Sequence, residues 1–226
     1  MLSMAEAGVD LRMQMVARLK EAGSLVTPAV EEAMVRVPRH LFLLQVDHTT
    51  AYGDQAVMVK QAADGSPISS VSHPTIVAVM LEQLRVDPGH RVLEVGTGSG
   101  YNAALLGVLA GDEGEVVGIE LEPDLAERAL LTLAELGEHR IQVVVGDGRD
   151  GYRPRAPYDR VIVTTGVRSV APAWRDQLAN GGRLVLPLVD RAGVGSIIVF
   201  DNHNGELEPI TEIPCSFLPI RDKPND

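Results

Sequence analysis

Three glycines stand at alternate positions in Leu93-Glu94-Val95-Gly96-Thr97-Gly98-Ser99-Gly100, directly after a short apolar run. Without side chains there, the backbone can turn tightly and approach a ligand closely. The spacing G-x-G-x-G departs from the G-x-G-x-x-G of dinucleotide-binding turns, and a glycine turn alone is a weak sign. Two acids sharpen it. Glu94 immediately precedes the turn; it would repel a pyrophosphate and attract a ligand carrying ammonium and sulfonium charges. That sign favours S-adenosylmethionine over a nicotinamide dinucleotide. Glu120, at the end of the next apolar run, is placed to accept hydrogen bonds from a ribose diol, a use common to both ligand classes. Gly146-Asp147-Gly148 ends a third run, where a carboxylate can meet an adenine amino group. Each feature alone has a plainer reading: a tight turn, a solvated strand end, a turn former. Their recurrence at successive strand ends favours a ligand. The expected cofactor-binding set is Glu94, Val95, Gly96, Thr97, Gly98, Ser99, Gly100 and Asn102, then Glu120 and Leu121, Asp147 and Gly148, and Thr164.

Such a site needs strands that end side by side and helices that begin there. From Arg91 onward the pattern supplies them. Arg91–Val95, Glu115–Ile119, Ile141–Val145, Arg160–Thr164, Arg183–Pro187 and Ser196–Phe200 are short runs rich in Val, Ile and Leu, the composition of strands covered on both faces. Between them, Tyr101–Ala110, Pro123–Leu136 and a segment near Trp174–Leu178 have helical spacing. The expected fold is α/β: a doubly wound, mostly parallel, seven-stranded Rossmann-like sheet, six of whose strands these runs locate. Ahead of it, Leu11, Met15, Val16 and Leu19 mark one buried helix face. Thr27 and Pro28 open a second helix that Pro38 ends. Pro74 opens a third, through Leu84, stopped by Pro88-Gly89. Residues 39–67 have mixed periodicity and read as mostly irregular. The chain is expected to form one domain over residues 1–226, with a helical and substrate-loop region over 1–88 and a cofactor-binding core over 89–226.

Composition narrows the function. The 226 residues are 45% hydrophobic and 23% charged, ordinary for a globular domain. Cys215 is the single cysteine, which excludes an internal disulfide framework and a Cys-rich zinc site, and no metal-ligand cluster stands out among the six histidines. Twenty Lys and Arg against 31 Asp and Glu leave a formal charge of −11, which opposes binding to nucleic acid or an anionic membrane. No uncharged stretch reaches the roughly 18 apolar residues of a membrane span. Glu6 and Asp10 argue against a signal peptide. A cytoplasmic, monomeric protein is expected.

Further motifs extend the pattern along the chain. Val37-Pro38-Arg39-His40-Leu41-Phe42 resembles a V-P-R-x-x-F element, Ala51-Tyr52-Gly53-Asp54 an A-Y-x-D, and Leu93–Ala104 a cofactor loop, all of the protein-L-isoaspartate O-methyltransferase family. Tyr158–Thr165, Gly181–Val185 and Cys215-Ser216-Phe217-Leu218-Pro219-Ile220 continue the similarity in order. The resemblance implies S-adenosylmethionine as methyl donor and a protein or peptide acceptor bearing L-isoaspartate or D-aspartate, methylated as a step in protein repair. The family's T-I-S-x-P stretch corresponds to Val71-Ser72-His73-Pro74, which puts Ser72 at the position of the active-site serine. Ser69 and Ser70 compete, because extra residues precede them. Asp54, Ser69, Ser70 and His73 are expected on the substrate side. Ser72 could equally cap the Pro74 helix. Where the family has an apolar L-P-I-G turn, this chain has the polar, longer Val59-Lys60-Gln61-Ala62-Ala63-Asp64-Gly65. That departure keeps an alternative open: methylation of one aspartate in a ribosomally made peptide precursor. A noncatalytic cofactor-binding module is a third reading, against which the intact Glu94–Gly100 loop and Ser72 both speak.

Overall fold

The computed structural model describes residues 4–221; residues 1–3 and 222–226 of the expected domain lie outside the described residues. Helix α1 (Met4–Glu21) buries Met15, Val16 and Leu19, the face its spacing predicts. Helix α2 (Pro28–Arg36) starts as its residue types dictate, with the Thr27 hydroxyl accepting from the Val30 amide.

The stretch read as irregular is more ordered than its mixed periodicity suggests. A 3-10 turn covers Arg39–Phe42, helix α3 spans His48–Tyr52, and β1 (Val57–Gln61) pairs antiparallel with β2 (Pro67–Val71). These strands have five residues each and two register shifts, so no clean two-residue alternation marks them. Helix α4 (Pro74–Leu84) follows. Ser72 does not cap it. His73 occupies the cap position without a side-chain bond, and the Asp54 carboxylate instead accepts from the Thr75 amide (3.0 Å) and hydroxyl (2.7 Å).

The core then alternates as expected: β3 (Arg91–Val95), α5 (Tyr101–Ala110), β4 (Glu115–Glu120), α6 (Pro123–Glu135), β5 (Ile141–Val145), β6 (Tyr158–Val163), α7 (Pro172–Gln177), β7 (Leu178–Val189), β8 (Val194–His203) and β9 (Glu206–Ser216). The seven-stranded sheet runs β5-β4-β3-β6-β7-β8-β9. Strands β3 to β7 are parallel; β8 and β9 return antiparallel. Successive strand residues feed opposite layers, as a pleat requires. Val92, Val116, Ile162 and Val185 pack with α1, α2, α4 and α5, while Leu93, Val117, Val163 and Leu186 pack with Trp174 of α7. Both faces are covered, which is why the strands lack polar alternation. The N-terminal helices belong to the first layer, so they brace the same strands that carry the glycine turn. Among the described residues no helix is long and apolar enough to cross a membrane.

Candidate active site

The order in which the chain adds parallel strands reverses at β3, with β4 and β5 laid down on one flank and β6 and β7 on the other. Ligands of open α/β sheets collect at this switch, beyond the carboxyl ends of the strands. A cleft of about 590 Å³ opens there. Val95, Gly96, Thr97, Gly98, Ser99, Asn102, Glu120, Leu121, Asp147, Gly148 and Thr164 all line it. The opposite wall holds Ser69, Ser70, Ser72 and His73 with Ile76, Val77 and Met80 of α4. One cleft therefore brings together the two groups of residues that the sequence keeps apart.

The turn is braced from two sides. The amides of Gly96 and Thr97 donate to the Ile119 carbonyl, and the Thr164 hydroxyl donates to the Gly96 carbonyl (2.6 Å). Gly98 has φ +56°, a left-handed conformation that disfavours side chains. A β-carbon there would lie 3.3 Å from the Ser69 hydroxyl, so β2 closes directly over the turn. Glu120 is nearly buried, and its two oxygens accept from the Gly98 amide (2.7 Å) and the Glu122 amide (3.0 Å). Glu120 also lines the cleft, and a carboxylate oxygen that accepts one bond can accept another. Burial raises the Glu120 pKa, against these backbone bonds.

Glu94 is not among the residues that line the cleft. It is completely buried on β3, behind the cleft wall, with Oε1 accepting from the Asn102 amide group (2.8 Å) and Oε2 unpartnered. Burial pushes its pKa up to about 7, opposed by the Asn102 bond. The hydroxyls of Thr97 and Ser99 are also buried without partners. Gly100 likewise lies behind the wall, where a β-carbon would approach Ala129 of α6 to 3.1 Å. Asp147 reaches the cleft, but Arg149 holds its carboxylate (2.7 Å), and its side chain also accepts from the Arg149 amide, the turn-forming role considered for it.

On the acceptor side, Asp54 is set back from the cleft as the cap of α4, and its backbone carbonyl meets the His73 ring (3.1 Å). The structure also adds wall residues that the strand-end logic misses. Tyr101 follows the turn, and the C-terminal segment Phe217–Arg221 folds back over the cleft mouth. Gly166 anchors that segment by donating to the Leu218 carbonyl (2.7 Å) and accepting from the Ile220 amide (2.6 Å). Lys60 on β1 pairs with Glu122 (2.6 Å) and Asp124, and Arg221 pairs with the other Glu122 oxygen (2.7 Å). Hairpin and tail thus meet on one carboxylate at the cleft rim. The polar Lys60 segment was a signal for this; its ion-pair partners, far away in sequence, were not legible.

Comparison with known proteins decides the family. The family model described as protein-L-isoaspartate(D-aspartate) O-methyltransferase matches residues 11–225. The chain belongs to the protein-L-isoaspartate(D-aspartate) O-methyltransferase family. It is 39% identical over 210 residues to a protein-L-isoaspartate O-methyltransferase of Methanopyrus kandleri, covering 92% of this chain and 90% of that one. A solved protein-L-isoaspartate O-methyltransferase superposes with a TM-score of 0.86 at 29% identity, over 94% of this chain and 66% of the other. A Plasmodium falciparum structure, described as a protein-L-isoaspartate O-methyltransferase in complex with S-adenosyl-L-homocysteine, shares the fold at 19% identity, with a TM-score of 0.79 and coverage of 92% and 97%. The doubly wound sheet expected from the sequence is the fold of this methyltransferase family.

Proposed function

We infer that the chain is an S-adenosylmethionine-dependent carboxyl O-methyltransferase acting on L-isoaspartyl and D-aspartyl residues of proteins and peptides, the activity for which its family is named. The observation that carries this reading is that one cleft is lined both by an acid-braced glycine turn and by a serine-rich hairpin end. Residues 1–88 serve the acceptor side, and residues 89–226 hold the cofactor, within one methyltransferase domain. The net charge of −11 supports a protein or peptide acceptor rather than a nucleic acid, and a monomer working in the cytoplasm fits the same picture.

The residues present suit the methyl donor. Buried, unpartnered oxygens of Glu94, Thr97 and Ser99 surround the turn, a set of acceptors able to take an ammonium group's hydrogen bonds or an intervening water. Glu120 has lone pairs to spare for a ribose diol. Val95, Gly96, Gly98, Asn102, Leu121, Asp147, Gly148 and Thr164 complete the proposed cofactor wall, with Thr164 and Gly100 acting by shaping the turn. When bound, S-adenosylmethionine supplies an electrophilic sulfonium methyl group.

The protein then has little covalent chemistry to do. A carboxyl with a pKa of about 4 is ionised at neutral pH, so no general base is required. What remains is alignment and exclusion of water between opposite charges. Ser72 donates a hydrogen bond to the acceptor carboxylate or its neighbouring amide, while Ser69, Ser70 and His73 border the peptide. The discriminating experiment offers S-adenosylmethionine with matched peptides containing Asp, isoAsp or D-Asp and follows methyl incorporation by mass spectrometry. Preference for isoAsp and D-Asp is the expected result. Exclusive use of Asp within one peptide sequence would replace repair with dedicated peptide modification. Cofactor binding without transfer to any of the peptides would leave a binding module.

A further inference from the structure

Arg39 is a guanidinium with no exposed surface. Burial lowers its pKa, and its direct contacts are neutral groups. Nε donates to the Ala51 carbonyl and Nη2 to the Ser72 carbonyl, each at 2.8 Å, and the guanidinium carbon lies 4.9 Å from the centre of the Tyr101 ring. Nη1 is buried without a partner. Asp54, which offsets its charge at longer range, is committed to Thr75. Burying a charge in this way is costly, and apolar replacements of buried ionic groups are often neutral or stabilising. Filling space is therefore a poor reason for an arginine here.

An arginine does here what an apolar side chain cannot. Its planar fork ties two carbonyls from separate segments, at the end of α3 and ahead of α4, and stacks both against the residue that opens α5. Those contacts join the Ser72 peptide to the helix that carries the glycine turn. We propose that Arg39 is a positioning residue for methyl transfer: it sets the Ser72 backbone against the start of α5 and so fixes the distance between acceptor and methyl donor. The inference rests on the reading of Ser72 as an acceptor-side residue. Alignment is where this reaction is sensitive, since a displacement of about 1 Å can cost about a hundred-fold in rate.

The test compares the full chain with Arg39→Gln and Arg39→Lys. Initial rates with an isoaspartyl peptide give kcat and KM, and calorimetry gives the Kd for S-adenosylmethionine. Arg39→Gln is expected to lower kcat about thirty-fold while the cofactor Kd moves less than about three-fold, and Arg39→Lys to recover part of the rate. A merely structural role would loosen both walls together. Unchanged kcat in both variants, or losses of rate and cofactor affinity by the same factor, would overturn the proposal. If the glutamine variant does not fold, the lysine variant decides by the same criterion. A wild-type chain that methylates none of the isoaspartyl peptides overturns the functional reading and this inference with it; an active wild type with silent Arg39 variants overturns the inference alone.

Discussion

Glu94 is the residue at which pH should first be felt. Its carboxyl is wholly buried, and burial pushes its pKa up to about 7, against 4.5 for the ordinary group. Between those values the folded state holds a proton that the unfolded state has released, so stability falls as pH rises through that window and levels off above it. The difference is worth about 3 kcal/mol at full ionisation. Glu120, also raised by burial, pulls in the same sense, so the measurement is a comparison. Denaturant unfolding of the cofactor-free protein from pH 5 to pH 8 should show a downward trend that Glu94→Gln flattens. A cationic ligand nearby reverses the cost, and Glu94→Gln should bind S-adenosylmethionine about ten-fold more weakly at pH 8. Ser72 lies on the other wall and should separate differently. Ser72→Ala is expected to lower kcat with an isoaspartyl peptide about ten-fold, the loss of one hydrogen bond to a charged group, with the cofactor Kd nearly unchanged. An unchanged rate would move the role to Ser69, Ser70 or a backbone amide.

At the scale of elements, the informative contact is between the glycine turn and β2. The Gly98 conformation costs a residue with a β-carbon roughly 1–2 kcal/mol, and the added carbon would press on the Ser69 hydroxyl at 3.3 Å. Gly98→Ala should therefore lower stability by about 1 kcal/mol and weaken S-adenosylmethionine binding about ten-fold, measured by denaturant unfolding and calorimetry. The turn itself was legible, because three alternating glycines after an apolar run stood together with acids at successive strand ends. Its lid was not. Strands β1 and β2 pair only with each other and are held by remote partners, Gln45 on the Met58 carbonyl and Glu122 on Lys60. Strand β9 escaped notice for a related reason: it is an edge strand with Pro209, Pro214 and three glutamates, and it buries too little to show an apolar run.

Across the whole molecule, charge governs approach to the cleft. With a formal charge of −11, the chain repels acidic peptides, and its rim cations Lys60 and Arg221 are already paired with Glu122. An isoaspartyl peptide flanked by lysines should show kcat/KM about five-fold higher than one flanked by glutamates at low salt, with the gap closing as ionic strength rises. Equal values at both salt concentrations would place the control of approach in local contacts. The same scale explains why the N-terminal helices cannot be set aside as an appendage: Met15, Leu19, Met34 and Leu81 share one packed layer with Val92 and Leu105 of the core.

The periodicity of apolar runs and the glycine spacing by themselves determined the doubly wound sheet and the place of the cleft beyond its strand ends, because each depends on residues close together in the chain. Which residues face the cleft was decided only by folding. Tertiary packing buried Glu94 against Asn102, turned Asp54 into a helix cap, laid Ser69 over Gly98 and buried Arg39 between Ala51, Ser72 and Tyr101. Those outcomes rest on contacts between distant segments, whose geometry follows from how whole layers pack and not from any local pattern.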